Sequence, residues 1–255
     1  MPFTVSHAAA VLPLRRFNLV WSAFIVGSMA PDFPYIVGTE AYRDWGHHFP
    51  SLLWFTLPAS LIALWFFHII KRPIIELLPT GMQERLSAEG NFSFFPARRF
   101  FAILAATVLG IASHLLWDAF THAHSWPWEH FAFMRIWVRV PVIDHRVPLF
   151  SVLQYLSSVV GMLALAVWVL LWYRAAPLRE RQSSTTGTRS RVGLAVAMFG
   201  IAAIFGTIRA ITLIGIPASL GRVDTFLFVC GVTSLAVAFW QLLLYCVLVS
   251  SYQVW

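Results

Sequence analysis

The sequence predicts an all-α fold, a polytopic membrane helical bundle, on three observations. Hydrophobic residues make up 59% of the 255 and charged residues 11%, where soluble domains carry about a quarter charged. Five apolar runs are long enough to cross about 30 Å of hydrocarbon. Twelve tryptophans and twenty-two phenylalanines suit lipid contact and interfacial belts, and the alternating ten-residue pattern of a membrane barrel is missing.

The five runs are residues 49–70, 98–121, 148–173, 192–215 and 224–249. A sixth, "FNLVWSAFIVGSMA" at 17–30, has only fourteen residues, which suits a re-entrant or buried helix. It stops at "PDFP", where Pro31 and Pro34 interrupt helix formation. Residues 1–16 hold no long apolar stretch preceded by basic residues, so the N-terminus is expected to be retained. Cys230 and Cys246 lie inside apolar runs and outside any CxxC pattern, which predicts neither a disulfide nor a thiolate metal site. With no repeat and no Gly/Pro-rich linker, the chain 1–255 reads as one membrane domain. Residues 1–175 hold its polar motifs, and 192–255 add two spans.

Basic residues orient the chain. Lys71, Arg72, Arg85, Arg98 and Arg99 lie in the 71–99 linker. Arg174, Arg179, Arg181, Arg189 and Arg191 lie in 174–191, which includes the flexible-looking "RQSSTTGTRSR". Cytoplasmic loops collect Lys and Arg, so both linkers are placed on the cytoplasmic side of a bacterial inner membrane. Residues 122–147 and 216–223 then face outward, although 122–147 carries Arg135, Arg139 and Arg146. The net charge of +7 therefore reflects membrane topology, and no nucleic-acid partner is expected. The partner is the lipid bilayer, and oligomeric state is left open.

The polar residues inside apolar surroundings carry the functional reading. "SHLLWDAFTHAH" at 113–124 places His114, Asp118 and His122 at i, i+4 and i+8, one stripe of a helix. Intramembrane ionisable groups are expensive and mark function. Histidines and a carboxylate one turn apart can grip a divalent ion by the same logic as HExxH, with other residues. Singly, His7 reads as a capping or solvated histidine, with Thr4 or Ser6 as N-cap, and Asp32 as a turn aspartate. His47 and His48 read as polar residues opening a span, and His68 as interfacial. Glu129, His130, Asp144 and His145 read as loop residues, and Arg209 needs a partner from another helix. Under the inferred topology His47, His114–His124 and Asp144 share the outer side. A re-entrant excursion would bring His7 and Asp32 there too. His7, Asp32, His47, His114, Asp118 and His122 or His124 then form one N/O donor set, suited to zinc first, or to manganese or iron.

"MPFTVSHAAAVLPLRR", "GSMAPDFPY", "SHLLWDAFTHAH" and "PLFSVLQYLSS" resemble the bacterial membrane family called domain of unknown function 4184. The resemblance covers residues 1–175, with generic spans beyond. That family is similar to the LexA-regulated, membrane-bound metal-dependent hydrolases. In the family pattern one histidine followed by Ser-Leu-Pro opens the first full span; here His47 takes the histidine slot and His48 the serine slot, leaving two candidates. The order His, Asp, His, HxxxD, His also resembles the ligand order of zinc-dependent phospholipase C and the single-strand-specific zinc nucleases. Those enzymes use an N-terminal tryptophan amine and a later HxxxE. This chain starts at Met1 and lacks the HxxxE, so the resemblance implies one or two metals.

The leading expectation is thus a membrane-embedded metal-dependent hydrolase of a phosphoester or lipid-linked substrate. Water activated by the metal is the nucleophile. Asp118 carries the catalytic ion, and His122, His124 and His145 move protons. The alternatives are a transporter or ion-handling protein, and a structural protein in which metal staples the N-terminal segment to the bundle.

Overall fold

The computed structural model describes residues 4–17, 20–37, 46–47, 49–86, 92–140, 145–178, 187–217 and 219–252. Among the described residues, five helices are long and apolar enough to cross a membrane: Leu52–Leu77, Ala97–His130, Leu149–Ala175, Arg189–Ile214 and Thr225–Val249. They match the five apolar runs of the sequence, and the protein is a polytopic helical membrane bundle. Their outer faces are apolar, with Leu163, Val167, Leu170, Phe199, Ile204 and Ile208 all more than half exposed or nearly so. Such a surface is covered by lipid chains.

The chain divides into two compact units. The first comprises Met1–Asp32, Asp44–Leu64 and Ser93–Ala175; the second Phe33–Arg43, Trp65–Phe92 and Ala176–Trp255.

In the first unit a 3-10 segment at Thr4–Arg16 precedes α1, Trp21–Met29. A 3-10 turn at Ala30–Asp32 closes this stretch of the first unit, and α2, Phe33–Val37, belongs to the second, with Pro34 in a first turn that needs no donor from it. The short apolar run is therefore a buried helix. Nine residues are too few to span, and Ala23, Phe24, Gly27 and Ser28 are buried. Its partner is α5, Ala97–Thr121. The two backbones touch through glycines. A Cβ on Gly27 would strike the Thr107 carbonyl, and one on Gly110 would strike the Phe24 carbonyl. Small residues at such crossings allow close helix approach where no hydrophobic effect operates between helices.

The first full span begins irregularly. Phe49–Ser51 leads into a π turn at Leu52–Thr56 and then α3, Leu57–Leu77. Pro58 has no N–H for the Trp54 carbonyl, and Leu57 N–H bonds Leu52 O, an i→i−5 bond that accommodates the gap. α3 runs past residue 70 through Lys71 and Arg72, with Arg72 paired to Glu76 at 3.4 Å. α4 is the short Thr80–Gln83. After α5 come α6, Trp126–His130, capped by Ser125, and a hairpin of β1, Trp137–Val140, and β2, His145–Pro148, which the sequence reading did not anticipate. α7, Leu149–Ala175, completes the unit. Gly161 of α7 lies where a Cβ would come 2.9 Å from Ser6 Cβ, so the N-terminal segment rests directly on this helix.

In the second unit α8, Thr188–Ile214, packs on α9, Leu220–Tyr252. Arg209 finds its cross-helix partner there: Nη1 donates to Thr233 Oγ1 at 3.2 Å. α8 starts inside the stretch expected to be loop. Arg191 is correspondingly buried and not solvated, its guanidinium donating to the Glu76 and Leu78 carbonyls at 3.3 and 3.4 Å. Those carbonyls lie at the C-terminal end of α3, where helix carbonyls lack partners. His68 stacks on Phe92, ring centroids 4.0 Å apart.

The glycine contacts give a paired expectation. Gly110→Ala should destabilise the detergent-solubilised protein by about 1–3 kcal/mol through overpacking. Gly193→Ala, which meets nothing within 4 Å, should be neutral or stabilise by about 0.5–1 kcal/mol through helix propensity. Thermal denaturation of the two variants checks the opposite signs.

Candidate metal centre

α5 carries His114 and Asp118 on its buried stripe, with Thr121 ending the helix one turn later. Neither side chain could be held here without partners, since an unpaired buried carboxylate costs several kcal/mol. Three other segments of the first unit bring them. The 3-10 segment delivers His7, the turn after α1 delivers Asp32, and residues 46–47 deliver His47.

The contacts are close and mutual. His7 Nε2 lies 3.4 Å from Asp118 Oδ1. His47 Nε2 lies 3.4 Å from Asp118 Oδ2 and 3.7 Å from Asp32 Oδ1. His114 Nε2 lies 3.5 Å from Asp118 Oδ2 and 3.7 Å from Asp32 Oδ1. His7, Asp32 and His114 are completely buried and Asp118 nearly so. Two sets of donor atoms each lie within 4.8 Å of one another: His7, His114 and Asp118, and Asp32, His47 and His114.

Ordinary hydrogen bonding does not account for this arrangement. His114 Nδ1–H donates to the Ser28 carbonyl at 2.8 Å. A carbonyl only accepts, so the neutral ring carries its lone pair on Nε2, the atom facing both carboxylates. A lone pair aimed at carboxylate oxygens is repulsive unless a proton or a metal ion lies between them. Asp32 Oδ2 accepts from Thr4 Oγ1 at 2.7 Å, which turns Oδ1 into the cluster. Both His7 nitrogens, Asp32 Oδ1, His114 Nε2 and Asp118 Oδ1 are buried with no hydrogen-bond partner. Burial, with His114 beside it, holds His7 down to about 3, so its imidazole is neutral and able to ligate. Burial pushes the Asp32 carboxyl above its usual range against the pull of His114; a cation among the donors would reverse that.

The spacing fits a small ion. A tetrahedral zinc with bonds of about 2.0–2.1 Å has donor–donor edges of about 3.3–3.4 Å. The four edges linking Asp32 Oδ1 and Asp118 Oδ2 to His47 Nε2 and His114 Nε2 run from 3.4 to 3.7 Å. Asp118 uses its other oxygen toward His7, so one carboxylate touches both groups.

Sequence reasoning overlooked the supports. Gly46 is required because a Cβ there would enter the Pro31 carbonyl, next to Asp32. Thr56 Oγ1, at the end of the π turn, donates to the Gly46 carbonyl at 3.4 Å. Trp117 meets His7 edge-on at 5.5 Å and donates to Ser157 Oγ at 3.1 Å. Ser28 and Gly46 act through backbone carbonyls, which leave no mark on side-chain chemistry. Thr4 is not the helix cap it resembled, because its hydroxyl goes to the buried Asp32.

The remaining candidates divide. His122 stays at the rim: its Nδ1–H donates to the Asp118 carbonyl at 3.0 Å, and its side chain is 15% exposed. His124 joins neither donor set. It is exposed, adopts φ 60°, and lies 4.7 Å from the Trp128 ring. The helix that carries His114 and Asp118 ends at Thr121, with His122 as its extended C-cap, which is why His124 diverges. His48 and Asp144 lie outside the described residues, as does the side chain of His145.

Fold and site together define a multi-pass helical membrane protein with buried His/Asp groups that could hold a metal ion. The chain belongs to the family described as domain of unknown function (DUF4184), which matches residues 1–249. That match continues through the last two helices, past the residues 1–175 that carry the motifs. No curated protein and no solved structure matches the chain.

Thr4→Val keeps the volume but removes the donor to Asp32 Oδ2. It should cost about 1–3 kcal/mol, read as a lowered midpoint in thermal denaturation.

Proposed function

We propose that this protein is a membrane-embedded metal-dependent hydrolase, with zinc the first choice of ion and a phosphoester or lipid-linked ester as substrate. One observation carries the reading: four chain segments converge two buried carboxylates and three imidazoles at metal-ligand spacing, with donor atoms left unmatched by any hydrogen bond. With neutral imidazoles, Asp32 and Asp118 leave a buried formal charge of minus two, which one divalent ion balances.

Asp32, His47, His114 and Asp118 would hold one ion as a complete four-donor set. His7 and the second oxygen of Asp118 would hold another, with too few protein donors to close it, so substrate has room there. Such an ion supplies electrophilic chemistry, polarising an ester or phosphoryl oxygen and raising the acidity of water. His122 would serve as the proton carrier. Its Nδ1 proton is committed to the Asp118 carbonyl, which leaves Nε2 as its basic atom in the neutral ring. The side chains of His47 and His122, 17% and 15% exposed, mark where the cluster meets its surroundings. His124 and His145 would serve only further along a proton route. The arginine-rich linkers support a bacterial inner-membrane location with this end of α5 outside the cytoplasm.

The closure of the four-donor set favours a second reading. A structural ion has four protein ligands and no vacant position, and the metal would then staple the N-terminal segment to α5.

Elemental analysis and a panel of lipid phosphoesters separate the two. The purified protein should contain zinc, and Asp118→Asn and His114→Ala should reduce it to below about a tenth and abolish hydrolysis. His68→Ala should change neither. Metal loss accompanied by a lower melting temperature, with no hydrolysis by the wild type on any substrate, selects the staple. Full metal content in Asp118→Asn refutes both.

Orientation has its own measurement. Reporter fusions within 75–95 and 180–190 should read cytoplasmic, and one near residue 128 external. The reverse pattern would place the site on the cytoplasmic side.

A further inference from the structure

His7 is held in the cluster differently from His114 and His122. The His114 ring is fixed by its Nδ1–H on the Ser28 carbonyl, and the His122 ring by its Nδ1–H on the Asp118 carbonyl. A ligating histidine almost always has its second nitrogen anchored in this way, which sets tautomer and ring angle together. His7 lacks that anchor. It is completely buried, and among the described residues neither of its ring nitrogens has a hydrogen-bond partner.

Other rings frame it instead. One face stacks on His114, with centroids 3.8 Å apart and planes at 22°. Trp117, three residues further along α5, meets it in an edge-to-face arrangement at 5.5 Å and 62°, a geometry in which aromatic rings attract. Trp117 is in turn tied to α7. Its indole N–H donates to Ser157 Oγ at 3.1 Å, and that hydroxyl donates to the Gln154 carbonyl at 3.2 Å. One helical turn beyond Ser157, on the same face, Gly161 lets the Ser6 backbone lie against α7: a Cβ there would come 3.0 Å from the Ser6 carbonyl. A single turn of α7 therefore seats both the backbone that precedes His7 and the indole that borders its ring.

Proton placement then ranks the two ion positions. Nε2 is the His7 nitrogen facing Asp118 Oδ1, at 3.4 Å. Ligation through Nε2 leaves the proton of the neutral ring on Nδ1, buried without an acceptor, and an orphaned buried donor is costly. His114 carries no such cost, because its Nδ1–H is already bonded.

We infer that Trp117, anchored by Ser157, is the positioning residue that makes His7 a ligand, and that the ion held by His7 and Asp118 Oδ1 is the weaker, exchangeable one of the pair. This rests on the two-ion reading above. The site is loaded in two steps, the four-donor position before the His7 position.

The test is a zinc titration of the full chain in a non-ionic detergent, after chelator treatment and against a chromophoric competitor. The wild type should take up two ions, the second about 10-fold more weakly or worse, the scale of one orphaned donor. His7→Ala should lose the weaker ion alone. Trp117→Leu should weaken it by about 10–100-fold, as removal of a group that orients a ligand does, and leave the tighter ion within about 2-fold, as for an independent site. Trp117→Phe keeps a ring beside His7 without the anchor and should fall between. Ser157→Ala, which removes the acceptor from the far side, should match Trp117→Phe. A purely structural role for Trp117 would weaken both ions together, and that result overturns the inference. So does a weaker ion unmoved by Trp117→Leu, or a wild type whose zinc is untouched by His7→Ala, while either result leaves the metal reading standing. No zinc uptake by the wild type refutes the metal reading and the inference with it. If Trp117→Leu does not fold, Ser157→Ala decides: a weaker ion of unchanged affinity in that variant rejects the positioning role.

Discussion

Asp118 is the residue on which the first unit depends. A carboxylate near the end of an apolar helix must be neutralised or ligated, and here it is surrounded by His7, His47 and His114. Those imidazoles come from three separate stretches of chain, so satisfying one carboxylate requires three segments to meet. A second carboxylate, Asp32, faces the same histidines. Two carboxylates sharing the same rings make a donor set that could hold a cation.

The surrounding fold is organised to meet it. Glycines at the crossing of α1 and α5 let the backbones touch, which brings the Ser28 carbonyl within reach of His114. That bond selects the tautomer and aims Nε2 inward. The π turn before α3 places Thr56 against the Gly46 carbonyl and so presents His47. Thr4 orients Asp32 while its own segment delivers His7. Each device is a short-range geometric correction, and together they confine five side chains to one small volume. Irregular helix geometry of this type is common near functional sites.

Elsewhere the protein handles intramembrane charge differently. Arg209 is met by the neutral Thr233, and Arg191 by carbonyls at the end of a helix. Asp32 and Asp118 are instead held among imidazoles. Those His/Asp groups could hold a metal ion.

The class of protein was determined by the sequence alone, because crossing a bilayer depends on the length and apolarity of local runs. Residues 98–121 read as a span and form one, and the His114–Asp118 stripe follows from helical periodicity. The ordered His/Asp motifs likewise named the family before any contact was known. Only the tertiary structure decided which of the flanking polar residues join that stripe. His7 and His124 are both histidines near apolar segments, yet one is sealed against Asp118 and the other is exposed beside Trp128. The difference lies in backbone approach at Gly110 and Gly46, in a carbonyl at Ser28 and in the point where α5 ends. Arg191 was read as part of a solvated loop for the same reason, since the carbonyls that receive it belong to α3, more than a hundred residues away. Periodicity records what one segment can present, whereas a buried polar group is placed by partners that only the fold brings within reach.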